Sequence, residues 1–262
     1  MRRTVGGPPV RSPPVPDDNK RRATQLVLAA AAPFVVLVLV VGFFLVGILG
    51  AVVLAVVVGV GLVVGVRRSA LGAVRRAVGG RPADAADHAR LTNLTDSLAI
   101  AAGVPVPELV VVDDPAPNAL AAGLEARDAV VVVTTGLLST LDRVQLEAVL
   151  AHVVARIRAL DIRPGTVAVP VLRWFGGVPG VRGWVVGAAL GPGRLAEADL
   201  EGVALTRYPP ALAAALERIA AAGGTVRSRP SIAHLWLDPP LPSADPLVRP
   251  PLEERIAALR EL

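Results

Sequence analysis

His152 lies inside the apolar run Gln145-Leu-Glu-Ala-Val-Leu-Ala-His-Val-Val-Ala-Arg-Ile-Arg-Ala-Leu-Asp161. Leu146, Val149, Leu150, Val153, Val154 and Ile157 recur there at helical spacing, which predicts a helix with Asp142 as its cap. A histidine on such a helix, with a second ligand four residues later on the same face and a glutamate beside the first, is the framework on which an H-E-x-x-H zinc centre activates water. Here the window reads His152-Val153-Val154-Ala155-Arg156. The first ligand position survives. Val153, without a lone pair, stands where a general base belongs, and Arg156, which stays protonated and cannot ligate, stands at the second ligand position. The bland reading of His152 is a core histidine hydrogen-bonded to a neighbour. His88 and His234, the other histidines, fall at no usual ligand spacing from it.

The surrounding elements follow from periodicity and breakers. Asp84 to Ala102 reads as a helix ended by Gly103-Val-Pro-Val-Pro107. Glu108–Asp113 and Asp128–Thr135 are short β-branched runs, hence strands, with Asn118–Gly123 between them as an edge segment. Arg194–Tyr208 and Pro210–Ala222 read as helices, Ser231–Leu237 as a short strand or buried segment, and Glu253–Leu262 as a closing amphipathic helix.

The chain of 262 residues is 53% hydrophobic and 3% aromatic, with a mean hydropathy of +0.58. It is too apolar for a wholly soluble protein of this size, so a membrane-embedded part is expected. No cysteine occurs, which excludes a thiol nucleophile, a disulfide framework and a cysteine-ligated metal. The net charge of +5 is carried by arginine, with Lys20 the single lysine. With so few aromatics to stack bases, nucleic acid is not expected as a partner.

Residues 1–22 read as a disordered, basic, Pro-rich tail. No charge occurs from Ala23 to Val66; as one helix this run would extend about 66 Å, roughly twice the ~30 Å hydrocarbon core of a bilayer. Two transmembrane helices over 23–66 are therefore expected, turning near Gly42, Gly47 and Gly50. The run far exceeds the roughly 7–15 apolar residues of a signal peptide. Residues 67–82 form a basic juxtamembrane linker. Arginines on both sides of the run place both termini, and the domain at 83–262, in the cytoplasm of a multi-pass cell-membrane protein. Residues 163–193 are a weaker apolar region whose Trp174, Phe175 and Trp184 sit near arginines; a loop touching the membrane interface, or one packed on the domain, is expected.

Seven stretches together resemble the HtpX-like membrane zinc metallopeptidases, relatives of the CAAX prenyl proteases. They are Ala101–Pro107, Pro117–Gly123, Val133–Leu138, Leu146–His152, Ala198-Asp199, Ala233–Trp236 and Pro250–Ile256, in the family's order. The resemblance implies an α+β, mostly helical fold: an N-terminal transmembrane helical hairpin, then a gluzincin-type metallopeptidase-like domain with a small β-sheet. It implies that His152 matches the first zinc ligand, Val153 the general base, Arg156 the second ligand and Leu195, four residues before Asp199, the third. Arg249 stands where the family carries a histidine that helps stabilise the transition state. Asn118, Ala119 and Gly123 match the substrate groove, and Asp199 and His234 are structural neighbours of the site.

Four functional positions are thus changed, none to a chemical equivalent. No cofactor is expected. The expected function is a membrane-anchored pseudo-peptidase that binds or regulates proteins, its partners being the lipid bilayer and membrane or cytoplasmic proteins or peptides. The alternatives are an active membrane zinc metalloendopeptidase, which would need Zn²⁺, and a purely structural membrane protein. Arg156 is expected to pair with an acidic neighbour such as Asp199, because an unpaired buried charge costs on the order of several kcal/mol.

Overall fold

A helix of sixty-odd residues cannot stay straight inside one bilayer thickness, and α1 (Pro16–Val78) does not: it breaks at Gly47, where φ is 74° and ψ 175°. That backbone region is essentially restricted to glycine. A Cβ on Gly42 would lie 3.2 Å from the Ala51 Cα, and one on Gly59 3.1 Å from Val35 Cγ2, so the two arms lie side by side and antiparallel. Phe44, Leu45, Ile48 and Leu49 around the bend are exposed. By length and composition α1 is apolar enough to cross a membrane. The computed structural model describes residues 16–191, 193–240 and 251–262; residues 1–15 of the expected tail, and Arg249, lie outside them.

Two expected boundaries are corrected. Residues 16–22, assigned to the tail, and 67–78, assigned to a linker, are helical and continuous with the apolar arms. Extending an existing helix is cheap compared with nucleating one. Asp17 and Asp18 in the first turn and Arg75 and Arg76 in the last complement the helix dipole. Most of the described part of 163–193 is helical instead of loop, in α5 (Ile162–Phe175) and α6 (Val181–Leu190). Val167, Ala168, Val171 and Leu172 of α5 bury against Ala23, Leu26, Val27 and Ala70 of α1, and Val185 and Ala189 of α6 join the same cluster. The aliphatic side chains of this region are spent on this packing, whereas the three aromatics that suggested an interface, Trp174, Phe175 and Trp184, stay exposed.

Among the described residues four short strands form one sheet: β1 (Arg81–Pro82), β2 (Glu108–Val112), β3 (Ala119–Ala122) and β4 (Val130–Thr134), in the order β1-β2-β4-β3. β2 and β4 pair in parallel, and the outer pairings are antiparallel. The near-continuous valine runs are explained by burial on both faces. Val131 and Val133 enter a core with α2 (Ala89–Ala102), α4 (Arg143–Arg158) and α8 (Pro209–Ala222); Val130 and Val132 enter another with Val74, Val169 and Trp236. The short α3 (Thr135–Thr140) leads from β4 to α4, while α7 (Arg194–Thr206) packs on α4 and α9 (Leu252–Arg260) closes over α8.

Candidate active site

α4 starts where the sequence says it should. The Asp142 carboxylate accepts from Gln145 N at 2.9 Å, and Asp142 N donates to Gln145 Oε1 at 3.2 Å, which satisfies two otherwise orphaned N–H groups. From Gln145 to Ile157 the helix is buried on nearly every side, so each polar residue on it must be answered from a neighbouring element.

His152 is answered from α7. A Cβ on Gly202 would fall 2.7 Å from the His152 Cα, so the two helix backbones are in direct contact at that turn. This brings Asp199 Oδ1 to 2.7 Å from His152 Nδ1, off the ring's N–H axis. Both groups are buried, His152 completely. Arg255, from α9, grips the same carboxylate with a two-pronged fork: Nε donates to Oδ2 at 2.8 Å and Nη2 to Oδ1 at 2.8 Å. Its Nη1 donates to Leu237 O at 3.3 Å. Burial alone would raise the Asp199 pKa, but Arg255 and His152 hold it well below the usual carboxylate range. Burial pushes His152 down, opposed by Asp199 and aided by Arg255 and Arg156. The pair is therefore a neutral imidazole beside an ionised carboxylate whose charge Arg255 balances. His152 Nε2 has no hydrogen-bond partner among the described residues.

Arg156 does not pair with Asp199, the partner named from the sequence. Leu160, at φ 55°, turns the chain sharply after α4, Asp161 N donates to Arg156 O at 2.9 Å, and the Asp161 carboxylate folds back. Arg156 Nε donates to Asp161 Oδ2 at 3.0 Å, and Arg194 Nε donates to Asp161 Oδ1. The expected principle holds with a different acid: Arg156, 3% exposed, is paired. Asp199 is simply taken, by a bidentate arginine. Two guanidiniums on one carboxylate leave an excess positive charge, and Glu197 and Glu201 line the same small cleft. Their pKa values are raised, first by burial.

The other proposed positions are placed plainly. Val153 is packed in the apolar core, and Leu195 is buried on α7 with no polar group of its own to offer. His234 is buried, with Nε2 2.9 Å from Gly165 O, a link between α5 and the turn at Ala233–Leu235. Asn118, Ala119 and Gly123 are engaged by the chain itself among the described residues. β3 is an edge strand, but Leu120 bridges Trp236 and Leu237 N donates to Ala119 O at 2.8 Å. Asn118 Nδ2 donates to Asp238 O, Asp238 N donates to Asn118 Oδ1 at 3.1 Å, and Gly123 N donates to Thr166 Oγ1 at 2.9 Å. The chain itself pairs with the edge that an extended peptide would use.

A structural or catalytic zinc ion needs at least three nitrogen, sulfur or carboxylate donors around one point. Among the described residues no group of three His, Cys, Asp or Glu side chains could hold a metal ion. His152 offers one nitrogen, position 156 a fixed cation and position 195 a hydrocarbon, so these residues do not fit the ion. Sequence reasoning missed Asp161, Arg194 and Arg255 as site residues; Arg255 was visible only as part of Glu-Glu-Arg-Ile.

A mostly helical α+β domain with a small mixed sheet, a buried His–Asp pair joining two packed helices and a long apolar helix in front defines a metallopeptidase-type scaffold. Residues 85–182 match Peptidase family M48. The Protease HtpX homolog of Tropheryma whipplei (strain TW08/27) is 33% identical over 221 residues, covering 70% of this chain and 76% of its own. That of Dictyoglomus thermophilum is 35% identical over 206 residues, covering 65% and 68%. That of Limosilactobacillus fermentum is 30% identical over 295 residues, covering 93% and 97%. The chain belongs to the HtpX-like family of M48 peptidases.

Proposed function

We propose that this chain is a membrane-anchored pseudo-peptidase, which keeps the family scaffold and acts by binding or regulating proteins at the membrane instead of cutting them. Arg156 carries this reading: at the second ligand position stands a buried cation, held by Asp161 beside Arg194, and a fixed positive charge opposes a divalent ion one helical turn from His152. Val153 in the core and the buried Leu195 support the same reading. The antiparallel arms of α1 serve as a two-span anchor, with both termini and the domain on the cytoplasmic side, as the flanking arginines favour. An extended partner would reach β3 only by displacing Trp236 and Leu237; other surfaces meet partners without that cost.

A second reading, an active zinc metalloendopeptidase, is favoured by His152 Nε2, which is buried without a described partner while Nδ1 faces a carboxylate, the orientation a metal-bound histidine takes. The relatives are also named proteases. Metal analysis and a casein-cleavage assay on the full chain in detergent separate the two. The pseudo-peptidase reading expects substoichiometric zinc and no chelator-sensitive cleavage; one equivalent of zinc with chelator-sensitive cleavage overturns it. Reporter fusions near residue 15 and after Leu262 are expected on the same side of the membrane, and opposite sides would refute the anchor's topology.

A further inference from the structure

Sharing no residue with the His152 site, four arginines from four parts of the chain converge on one cleft of about 480 Å³. Arg76 comes from the end of α1, Arg173 from the end of α5, Arg182 from the start of α6 and Arg229 from the loop before Ala233. Ser231 adds a hydroxyl, and no lining residue is acidic. None of the four has a carboxylate within ion-pair distance among the described residues. Two are held in place by backbone: Arg76 Nε donates to Gly72 O at 3.0 Å and Arg182 Nη1 to Pro230 O at 2.9 Å.

Converging guanidiniums without a counter-charge repel one another, and the arrangement is relieved by an anion in their midst. Guanidinium forks match the oxygens of phosphate in pairs, better than those of chloride or a lone carboxylate. Topology alone does not account for the cluster: positive-inside selection acts on charges next to a span, whereas Arg229 is remote from α1 in sequence and is brought in by the fold. On the other side of α5 lies an apolar cavity of about 290 Å³, lined by Phe34, Leu62, Val171 and Trp174 among others, between the arms of α1 and α5. Arg173 and Trp174, adjacent in sequence, thus face a polar and an apolar space respectively.

We propose that the Arg76–Arg173–Arg182–Arg229 cleft binds a phosphate-bearing anion, presented as the headgroup of an anionic phospholipid or as a soluble phosphate compound. The site is independent of the fate of the zinc centre. Its test uses the full chain in detergent. Native mass spectrometry compares retention of dioleoyl phosphatidic acid with that of dioleoyl phosphatidylcholine, and calorimetry follows inorganic pyrophosphate. Three double variants are compared: R173Q/R229Q, R173K/R229K, and R67Q/R68Q as a control outside the cleft. The expected result is retention of phosphatidic acid over phosphatidylcholine that falls about tenfold in R173Q/R229Q, is partly restored in R173K/R229K and is unchanged in the control. With that pattern, silent pyrophosphate assigns the lipid headgroup; pyrophosphate binding lost in the same variant assigns the soluble source. Equal loss in the control shows only juxtamembrane charge and overturns the proposal. So does indifference to both probes.

Discussion

His152 and Asp199 meet at 2.7 Å in a place neither shares with water, and the charge that makes this tolerable arrives from the last helix of the chain, on Arg255. The energetic stake lies in the arginine. Arg255→Met would leave the Asp199 carboxylate buried with only a neutral imidazole beside it, and removing one partner of a buried pair costs on the order of 3–5 kcal/mol. A correspondingly large drop in unfolding midpoint is expected for the full chain in detergent; a change below about 1 kcal/mol, the level of a surface pair, would contradict the assignment.

Acid should weaken the fold through His152. Its folded pKa lies below the ordinary value of 6.5, so as pH falls through that value the unfolded chain takes a proton that the folded chain refuses. Stability present above this range is then lost at up to about 1.4 kcal/mol per pH unit until the folded pKa is reached. Asp199, with its lowered pKa, adds a loss of the same sign at lower pH. Glu197 and Glu201, with raised values, act in the opposite sense. Comparing His152→Gln with the parent at pH 7.5 and 5.5 isolates the first effect. The variant should lose less stability between the two; equal losses would rule out a neutral buried imidazole.

Arg156→His with Leu195→Glu is expected to create a zinc site with His152. Positions 152 and 156 share a helical face, α7 lies against α4 at Gly202, and Asp161 retains Arg194 when Arg156 is removed. Calorimetric titration of Zn²⁺ should show one tight equivalent in the double variant and none in the parent. Adding Val153→Glu is expected to restore weaker hydrolysis than binding, since a buried valine site was not shaped for a carboxylate. A double variant that ignores zinc would mean that α4 and α7 no longer hold the three positions around one point.

Gly202→Ala should act on the same site by pushing. Its Cβ would stand 2.7 Å from the His152 Cα and 2.8 Å from His152 N, atoms that cannot swing aside. Separating α7 from α4 is expected to cost about 1–3 kcal/mol, as overpacking does. Unfolding indistinguishable from the parent would show that the helices slide freely there.

What the sequence made legible was local. The valine runs of β2 and β4, the Asp142 cap and the bend at Gly47 each follow from residues within a few positions of one another. The site was legible only as a set of substitutions. Its actual contacts join residues 33 positions apart at Asp161–Arg194 and 56 apart at Asp199–Arg255, distances over which periodicity carries no information. α5 and α6 were hidden for a different reason. Their glycines and Pro170 weaken the helical signal, and packing against α1 overrides it.

The Trp236–Leu237 cover on β3 also occupies an edge on which a second copy of the chain could pair. At the opposite margin of the sheet β1 is only two residues long and contains Pro82, which lacks an N–H to offer a newcomer. With β3 already paired to its own chain, neither margin presents a long free template for strand addition among the described residues. A chain halted at Ser231 would bare Ala119–Ala122, an apolar strand without one charge, and copies would be prone to zip together through it. The closing segment thus covers the apolar edge of the sheet, whether or not any peptide is ever cut.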